Sequence, residues 1–247
     1  MNPTLHLCPS PDLIKNYAPS RWNRTLVVIT DVFRASATIL SALYHGAIEV
    51  RPVATVEESL HYRVDPDYLV AAERNAVRVE GAQLGNDPEE YTTALVKDKK
   101  VVLTTTNGTR ALHLAREAGA QYIAIGSFGN ISRIIGYTKE GQFEQVLVVA
   151  AGWEGQLAGE DCLFAGILLH RFLERGVTIK GANDALLIAH LSYLAYKDHL
   201  QDFIVQLEHY QRLERLGYLP TIPICLEEDR YPILPLYDPN RQTLLLK

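Results

Sequence analysis

Charged residues stand at the carboxyl ends of apolar runs along this chain. "TLVVIT" is followed by Asp31 and Arg34, and "YLVAA" by Glu73 and Arg74. "KVVLTT" leads into Thr106–Thr109 ("TNGT"), "QYIAI" into Gly126–Asn130 ("GSFGN"), and "QVLVVA" into Ala151–Asp161 ("AGWEGQLAGED"). Hard divalent cations such as Mg²⁺ take carboxylate oxygens and water, often with only one or two carboxylates plus a substrate phosphate. Asp31, Glu73, Glu160 and Asp161 offer such oxygens. Phosphate oxygens are met by arginine forks, hydroxyls and free backbone N–H groups at helix N-termini. Arg34, "TTTNGTR" and "GSFGN" offer those. The inventory is that of a metal-assisted phosphate site.

Each feature also has a purely structural explanation. Asp31 suits a helix N-cap, and Glu160 and Asp161 suit the positive start of a helix. Arg34 and Arg74 can pair with these acids, and the threonines can serve strand propensity and capping. The functional reading rests on coincidence, because a cap needs one residue per helix and does not require the neighbouring turns to match it.

The elements that must bring these turns together are legible as a pattern. Short valine- and isoleucine-rich runs, including "IEVRPV", alternate with amphipathic stretches, which predicts βα units and an α/β fold with helices on both faces of a mostly parallel sheet. Ligands in such folds bind outside the carboxyl ends of the strands, so all five turns are expected along one edge. A first helix is predicted from about Arg34, with Ile39, Leu40, Leu43 and Ala47 on one side and Gly46 as its stop. "NDPEEYTTALV" predicts a helix capped by Asn86 or Asp87 with Pro88 at its first position. "EDCLFAGILLHRFLER" reads as a buried helix, followed by two more over "NDALLIAHLSYLAY" and "LQDFIVQLEHYQRLERLG", the last closed by Gly217. The proline-rich tail reads as edge strands and turns. No repeat or linker divides the chain, so 1–247 is expected to be one domain.

The 247 residues suffice for a substantial core, and a net charge of −5 with no basic run argues against a nucleic-acid partner. Cys8, Cys162 and Cys225 are odd in number and widely spaced, which predicts reduced thiols of a cytoplasmic protein and neither a disulfide framework nor a zinc site. No apolar run approaches the length needed to span a bilayer, and "MNPTLHLCPSPDLIKNY" has no basic segment followed by an apolar one, so an unexported protein is expected. GxxxxGK[ST], GxGxxG after a strand and GxSxG are all absent. "DVFRA" places Phe33 where phosphatases with an aspartate nucleophile carry a second acid. His45, His61, His113 and His170 fall on predicted helices without shared spacing, and only His209 stands as a distant candidate for acid work.

The chain resembles the 2-phosphosulfolactate phosphatases, or ComB-like proteins. The resemblance is carried in consistent order by "DVFRASATI", "AERNAVRVEGAQLGNDPEEY", "TTTNGTRAL", "GSFGNI", "AGWEG" with "EDCLFAG", and "LERLG". It departs at "AERNA", which lacks the glycines of a "GERGG"-like stretch but keeps Glu73 and Arg74, at Tyr210 after His209, and at Thr221. Those departures bear on the organic acid rather than on the metal and phosphate elements. The resemblance implies a three-layer α/β/α sandwich with a mostly parallel or mixed central sheet. It further implies a Mg²⁺-dependent hydrolase releasing phosphate from 2-phosphosulfolactate to give 3-sulfolactate, a step towards coenzyme M.

On that reading Asp31, Arg34, Glu73 and Asp161 are the expected catalytic residues, with Asp31, Glu73, Glu160 and Asp161 as metal ligands. Thr105, Thr106, Asn107, Gly108, Thr109, Ser127 and Asn130 are expected around the phosphate, and Arg74 at the substrate's sulfonate or carboxylate. The attacking group is either a metal-oriented water or Asp31 itself. Two alternatives stand beside it: a phosphatase for another small phosphorylated hydroxy acid, and a non-catalytic sensor of anionic metabolites. A homodimer is expected only because closed two-fold assemblies are common.

Overall fold

The computed structural model describes residues 2–17 and 21–246. The six apolar runs all form strands, within a chain that alternates as expected. In order the elements are β1 (Thr4–Cys8), β2 (Thr25–Thr30), α1 (Ala35–Tyr44), β3 (Glu49–Pro52), α2 (Val56–His61), β4 (Tyr68–Arg74), β5 (Val77–Arg78), α3 (Thr93–Val96), β6 (Lys100–Thr104) and α4 (Gly108–Glu117). There follow β7 (Tyr122–Ile125), α5 (Ile131–Glu140), β8 (Gln145–Ala150), α6 (Gly159–Glu174), β9 (Gly181–Ala182), α7 (Asp184–Tyr196), α8 (Leu200–Ile204), α9 (Glu208–Arg215), α10 (Ile222–Leu226), β10 (Pro235–Asp238) and β11 (Thr243–Leu246). Among the described residues no helix is long and apolar enough to cross a membrane.

The strands form one mixed sheet in the order β5-β4-β6-β3-β11-β10-β7-β2-β8-β1-β9. β4, β6 and β3 make one parallel block, and β7, β2, β8, β1 and β9 the other. Alternation along β8 gives the sheet two buried faces. Val146, Val148 and Ala150 join the apolar core under α5, α6 and α7, while Leu147, Val149 and Ala151 join the one under α1 and α4. The layering is therefore α/β/α.

The proline-rich tail corrects one expectation. β10 and β11 are not edge strands: they form an antiparallel hairpin in the middle of the sheet, joining β7 of one block to β3 of the other. Pro235 begins its strand, so its missing N–H interrupts no ladder. Three antiparallel pairings thus separate the parallel blocks, and in a flat sheet β2 and β4 would end at opposite edges. The two outer pairings each rest on a single residue pair, Ala124 with Leu236 and Val50 with Leu244, which lets the sheet twist and bend through the hairpin. The turns after β2 and β6 do meet, since a Cβ added at Gly108 would fall 2.9 Å from Asp31 Oδ2. Helix α1 packs against β3, β7 and β10. Its residues from Ala35 to Leu43 are all buried, so it has no polar face, and its small residues Ala35, Ser36, Ala37, Ser41 and Ala42 allow that approach.

Two helical expectations are also corrected. "NDPEEYTTALV" is a 3-10 turn over Pro88–Glu90 followed by the short α3. Asp87 caps the turn at the Glu89 N–H (3.0 Å), and the buried Tyr91, whose hydroxyl donates to Gly85 O, interrupts the helix. "LQDFIVQLEHYQRLERLG" is broken into α8 and α9 at Leu207, which is extended. No glycine or proline marks that break. It seats Leu207 on Gly159, where an added Cβ would come within 2.5 Å of Leu207 Cδ2. β1 was not expected, although Leu5 and Leu7 alternate as strand residues do.

Candidate active site

β2 ends at Thr30, and the next residue begins the site. Asp31 donates its backbone N–H to Ser36 Oγ (2.9 Å), and its Oδ1 accepts the Ala35 N–H (3.3 Å). The capping explanation of Asp31 is therefore true of one oxygen. The other, Oδ2, lies against Gly108, where an added Cβ would fall 2.9 Å from both Oδ2 and Ala35 Cβ. Only glycine lets the turn after β6 come this close to the acid.

Glu73, at the end of β4, accepts from the Ala76 N–H, from Thr106 Oγ1 (3.2 Å) and from the Thr106 N–H (3.3 Å). The turns after β4 and β6 are thereby tied together. Arg34 reaches the same place from the start of α1: Nη2 donates to Ala76 O (3.1 Å), Nη1 lies 3.6 Å from Asp87 Oδ2, and Cζ stands 3.9 Å from the Tyr218 ring centroid. Nη1 is buried and has no hydrogen-bond partner. A buried guanidinium whose Nη1 has a long ion pair but no hydrogen bond keeps a donor suited to an oxyanion.

The two adjacent acids of α6 diverge. Asp161 accepts the Val32 N–H on Oδ1 (2.8 Å) and the Gly152 N–H on Oδ2 (3.0 Å), so both oxygens clasp the turns after β2 and β8. Glu160 Oε1 bonds His209 Nδ1 (2.6 Å), while its Oε2 is buried without a partner. Burial, the largest single influence, draws the His209 pKa down, but the bond to Glu160 and the charges of Glu160 and Asp31 together outweigh it and the net direction is upward. Burial pushes Asp31 up to about 6; His209 and the Ala35 amide oppose that rise, and Glu73 and Glu160 add to it.

Asp31, Arg34, Glu73, Asn107 and His209 line one narrow cleft, together with Phe33, Ala76, Asn86, Trp153 and Leu213. Asn107 precedes α4 and makes no side-chain cap, so its amide is available beside the helix N-terminus. Thr105 and Thr109 are buried below it and bond each other, Thr109 Oγ1 donating to Thr105 O (3.0 Å). Arg74 lies outside the cleft lining, donating to Glu73 O (2.7 Å), Thr104 Oγ1 (3.0 Å) and Ala54 O (3.4 Å). Ser127 and Asn130 also stand apart. Asn130 accepts the Ser127 N–H (3.0 Å) and donates to Ile125 O (3.0 Å) and Ile233 O (3.2 Å), so it holds its own turn to the C-terminal segment.

Some lining residues escape a sequence reading. Asn86 and Trp153 sit inside quoted blocks but look there like a cap and a turn residue, whereas His209, 178 positions from Asp31, is the one histidine that stands as a candidate for acid work in the sequence. Cys8, Cys162 and Cys225 are free thiols. Burial pushes Cys8 up to about 12 and the other two higher still, which disfavours a thiolate nucleophile. Among the described residues no three His, Cys, Asp or Glu side chains form a ready-made metal cluster. Asp31 and Glu73 bring carboxylate oxygens to the cleft beside Arg34 and Asn107, a donor set of the kind that a hard cation completed by water takes.

The family model described as 2-phosphosulpholactate phosphatase matches residues 8–240. A relative from Caldanaerobacter subterraneus subsp. tengcongensis, named "Probable 2-phosphosulfolactate phosphatase", is 36% identical over 212 residues, covering 85% of this chain and 86% of its own. Relatives of the same name from Thermotoga petrophila and a Synechococcus species are 37% and 34% identical, covering 86% and 88% of this chain and 88% and 90% of theirs. The match spans nearly the whole chain, and the chain belongs to the 2-phosphosulfolactate phosphatase family.

Proposed function

We propose that the protein is a Mg²⁺-dependent phosphomonoester hydrolase that converts 2-phosphosulfolactate to 3-sulfolactate and inorganic phosphate. The observation that carries this reading is the convergence of Asp31, Glu73, Arg34, Asn107 and His209 on one cleft from turns belonging to both parallel blocks. Asp31, Glu73 and the unpartnered Oε2 of Glu160 are the oxygens that would hold the cation, which supplies Lewis-acid polarisation of the phosphoryl group when bound. Asp161 serves instead through its two amide bonds, fixing Val32 and Gly152 so that Asp31 keeps its place.

Arg34 Nη1, the Asn107 amide and the N-terminus of α4 receive the phosphoryl oxygens and stabilise charge that grows on them. A water held by the carboxylates attacks phosphorus. His209, oriented through Nδ1 by Glu160, can donate a proton from its other ring nitrogen to the departing alkoxide. Asp31 as nucleophile is the second reading, favoured by Oδ2, which no donor occupies among the described residues.

Phosphate release from 2-phosphosulfolactate, 2-phospholactate and glycerol 2-phosphate, measured with Mg²⁺ and with EDTA, tests the proposal. Release from the first that EDTA abolishes supports it. Ligand-induced thermal stabilisation with no release from any of the three would make the chain an anion sensor. Acid-quenched phosphoenzyme at Asp31 would select the covalent route.

A further inference from the structure

Beside the phosphate cleft lies a second hollow of about 270 Å³ that shares Trp153 and His209 with it. Two arginines one helical turn apart on α9, Arg212 and Arg215, line this hollow. Arginines elsewhere are commonly ion-paired, as in Arg34–Asp87, Arg110–Asp12, Arg171–Glu228 and Arg241–Glu49. Neither Arg212 nor Arg215 has a carboxylate within ion-pair distance among the described residues. Arg212 is held flat instead, its Cζ 3.6 Å from the Trp153 ring centroid, and its Nη1 is buried without a hydrogen-bond partner.

A stacked guanidinium keeps its planar fork preorganised for an oxyanion, and a buried donor left unpaired calls for a ligand. The opposite wall agrees. Helix α6 begins there at Gly159 after Ala158, which makes no side-chain cap, so its first amides are not satisfied by a side chain. Glu160 in the same wall bonds His209 through Oε1, its Oε2 being the oxygen assigned to the cation, and Glu208 also lines the hollow. Arg74, the residue expected at the substrate's second anion, has its guanidinium committed to Glu73 O, Thr104 and Ala54 O and lines neither hollow.

We propose that Arg212, stacked on Trp153, binds the sulfonate of the substrate while the phosphate occupies the neighbouring cleft, with Arg215 adding longer-range attraction. The hollow then selects phosphomonoesters carrying a sulfonate tail over those without one. This inference rests on the phosphatase reading above.

Steady-state kinetics of the Mg²⁺-loaded full chain, its R212A and its R212K variants decide the matter, using 2-phosphosulfolactate (sulfonate and carboxylate), 2-phospholactate (carboxylate only) and glycerol 2-phosphate (neither). R212A is expected to raise KM for 2-phosphosulfolactate by about 10- to 100-fold, the effect of losing hydrogen bonds to a charged group, while lowering kcat by less than about threefold. R212K should fall between R212A and the wild type, and the KM penalty should be much smaller for the other two substrates. An equal loss on all three substrates would overturn the assignment and make Arg212 a prop for Trp153 and His209. A matching loss on 2-phosphosulfolactate and 2-phospholactate alone would move it to the carboxylate and overturn it as well. If the wild type hydrolyses none of the three, the phosphatase reading fails, and titration calorimetry with 3-sulfolactate against lactate decides the subsite by itself. Tighter wild-type binding of 3-sulfolactate that R212A and R212K weaken would sustain it. Binding that neither variant alters, or no binding, would end it.

Discussion

The turns after β6 and β7 look alike as sequence, "TNGT" and "GSFGN", each with hydroxyl, asparagine and glycine after an apolar strand. Their asparagines behave differently. Asn107 makes no cap and lines the phosphate cleft. Asn130 is fully buried and uses its amide on Ser127, Ile125 and Ile233. The same division separates Glu160 from Asp161 and Arg34 from Arg74. A polar residue whose bonding capacity is met by the fold is a clasp, whereas one that faces the cleft with a free group is available to a ligand.

The substitution with the largest expected effect on activity is Asp31→Asn, on the cleft side of that division. Under the proposed function, in which Asp31 holds the cation beside the phosphate, removing this carboxylate should lower kcat by about 10³-fold or more, read as phosphate release. The same change should stabilise the metal-free protein. Folding raises the Asp31 pKa from 3.8 to about 6, so the protonated form is favoured by the fold. Stability from this group is complete below the lower value and is lost as pH rises through the higher one. In EDTA, the melting difference between Asp31→Asn and wild type should therefore be small at pH 4 and grow to a variant advantage on the order of 3 kcal/mol above pH 7. An advantage that is the same at both pH values would refute the assignment.

On the clasp side, Asn130→Ala should cost about 2–4 kcal/mol of stability, since it orphans the Ser127 N–H and two carbonyls, while turnover by the folded fraction changes by less than about threefold. Denaturant unfolding and active-site-normalised kinetics report the two quantities. A large kcat loss with unchanged stability would place this turn at the phosphate after all. Gly108→Ala sits between the two classes, because its Cβ would press on Asp31 Oδ2 and Ala35. It should lower both stability, by about 1–3 kcal/mol, and kcat. The smallest change in stability is expected for Asn107→Ala, under about 1 kcal/mol, with kcat/KM reduced by about tenfold. Equal stability costs for Asn107→Ala and Asn130→Ala would erase the contrast between the turns.

Strand identity was legible because it depends on local pattern: all six valine- and isoleucine-rich runs are strands, and the acids do follow them. So were Asp87 as a cap and Gly46 and Gly217 as stops, both glycines having positive φ. Pairing was not legible, because it is decided between distant segments. Nothing within residues 235–246 says that their hairpin lies between β7 and β3, and without it the strand ends could not be placed relative to one another. Nor does local chemistry reveal which acid is free. The sequence alone determined that carboxylates, arginines and small polar turns follow buried strands in a phosphatase-like order. Tertiary structure decided that Asp161 closes on an amide 129 positions away, that the unmarked break at Leu207 brings His209 to Glu160, and that Arg212 is left with Trp153 in place of an acid. The physical reason is that the polar capacity of a side chain is consumed by partners that only folding supplies.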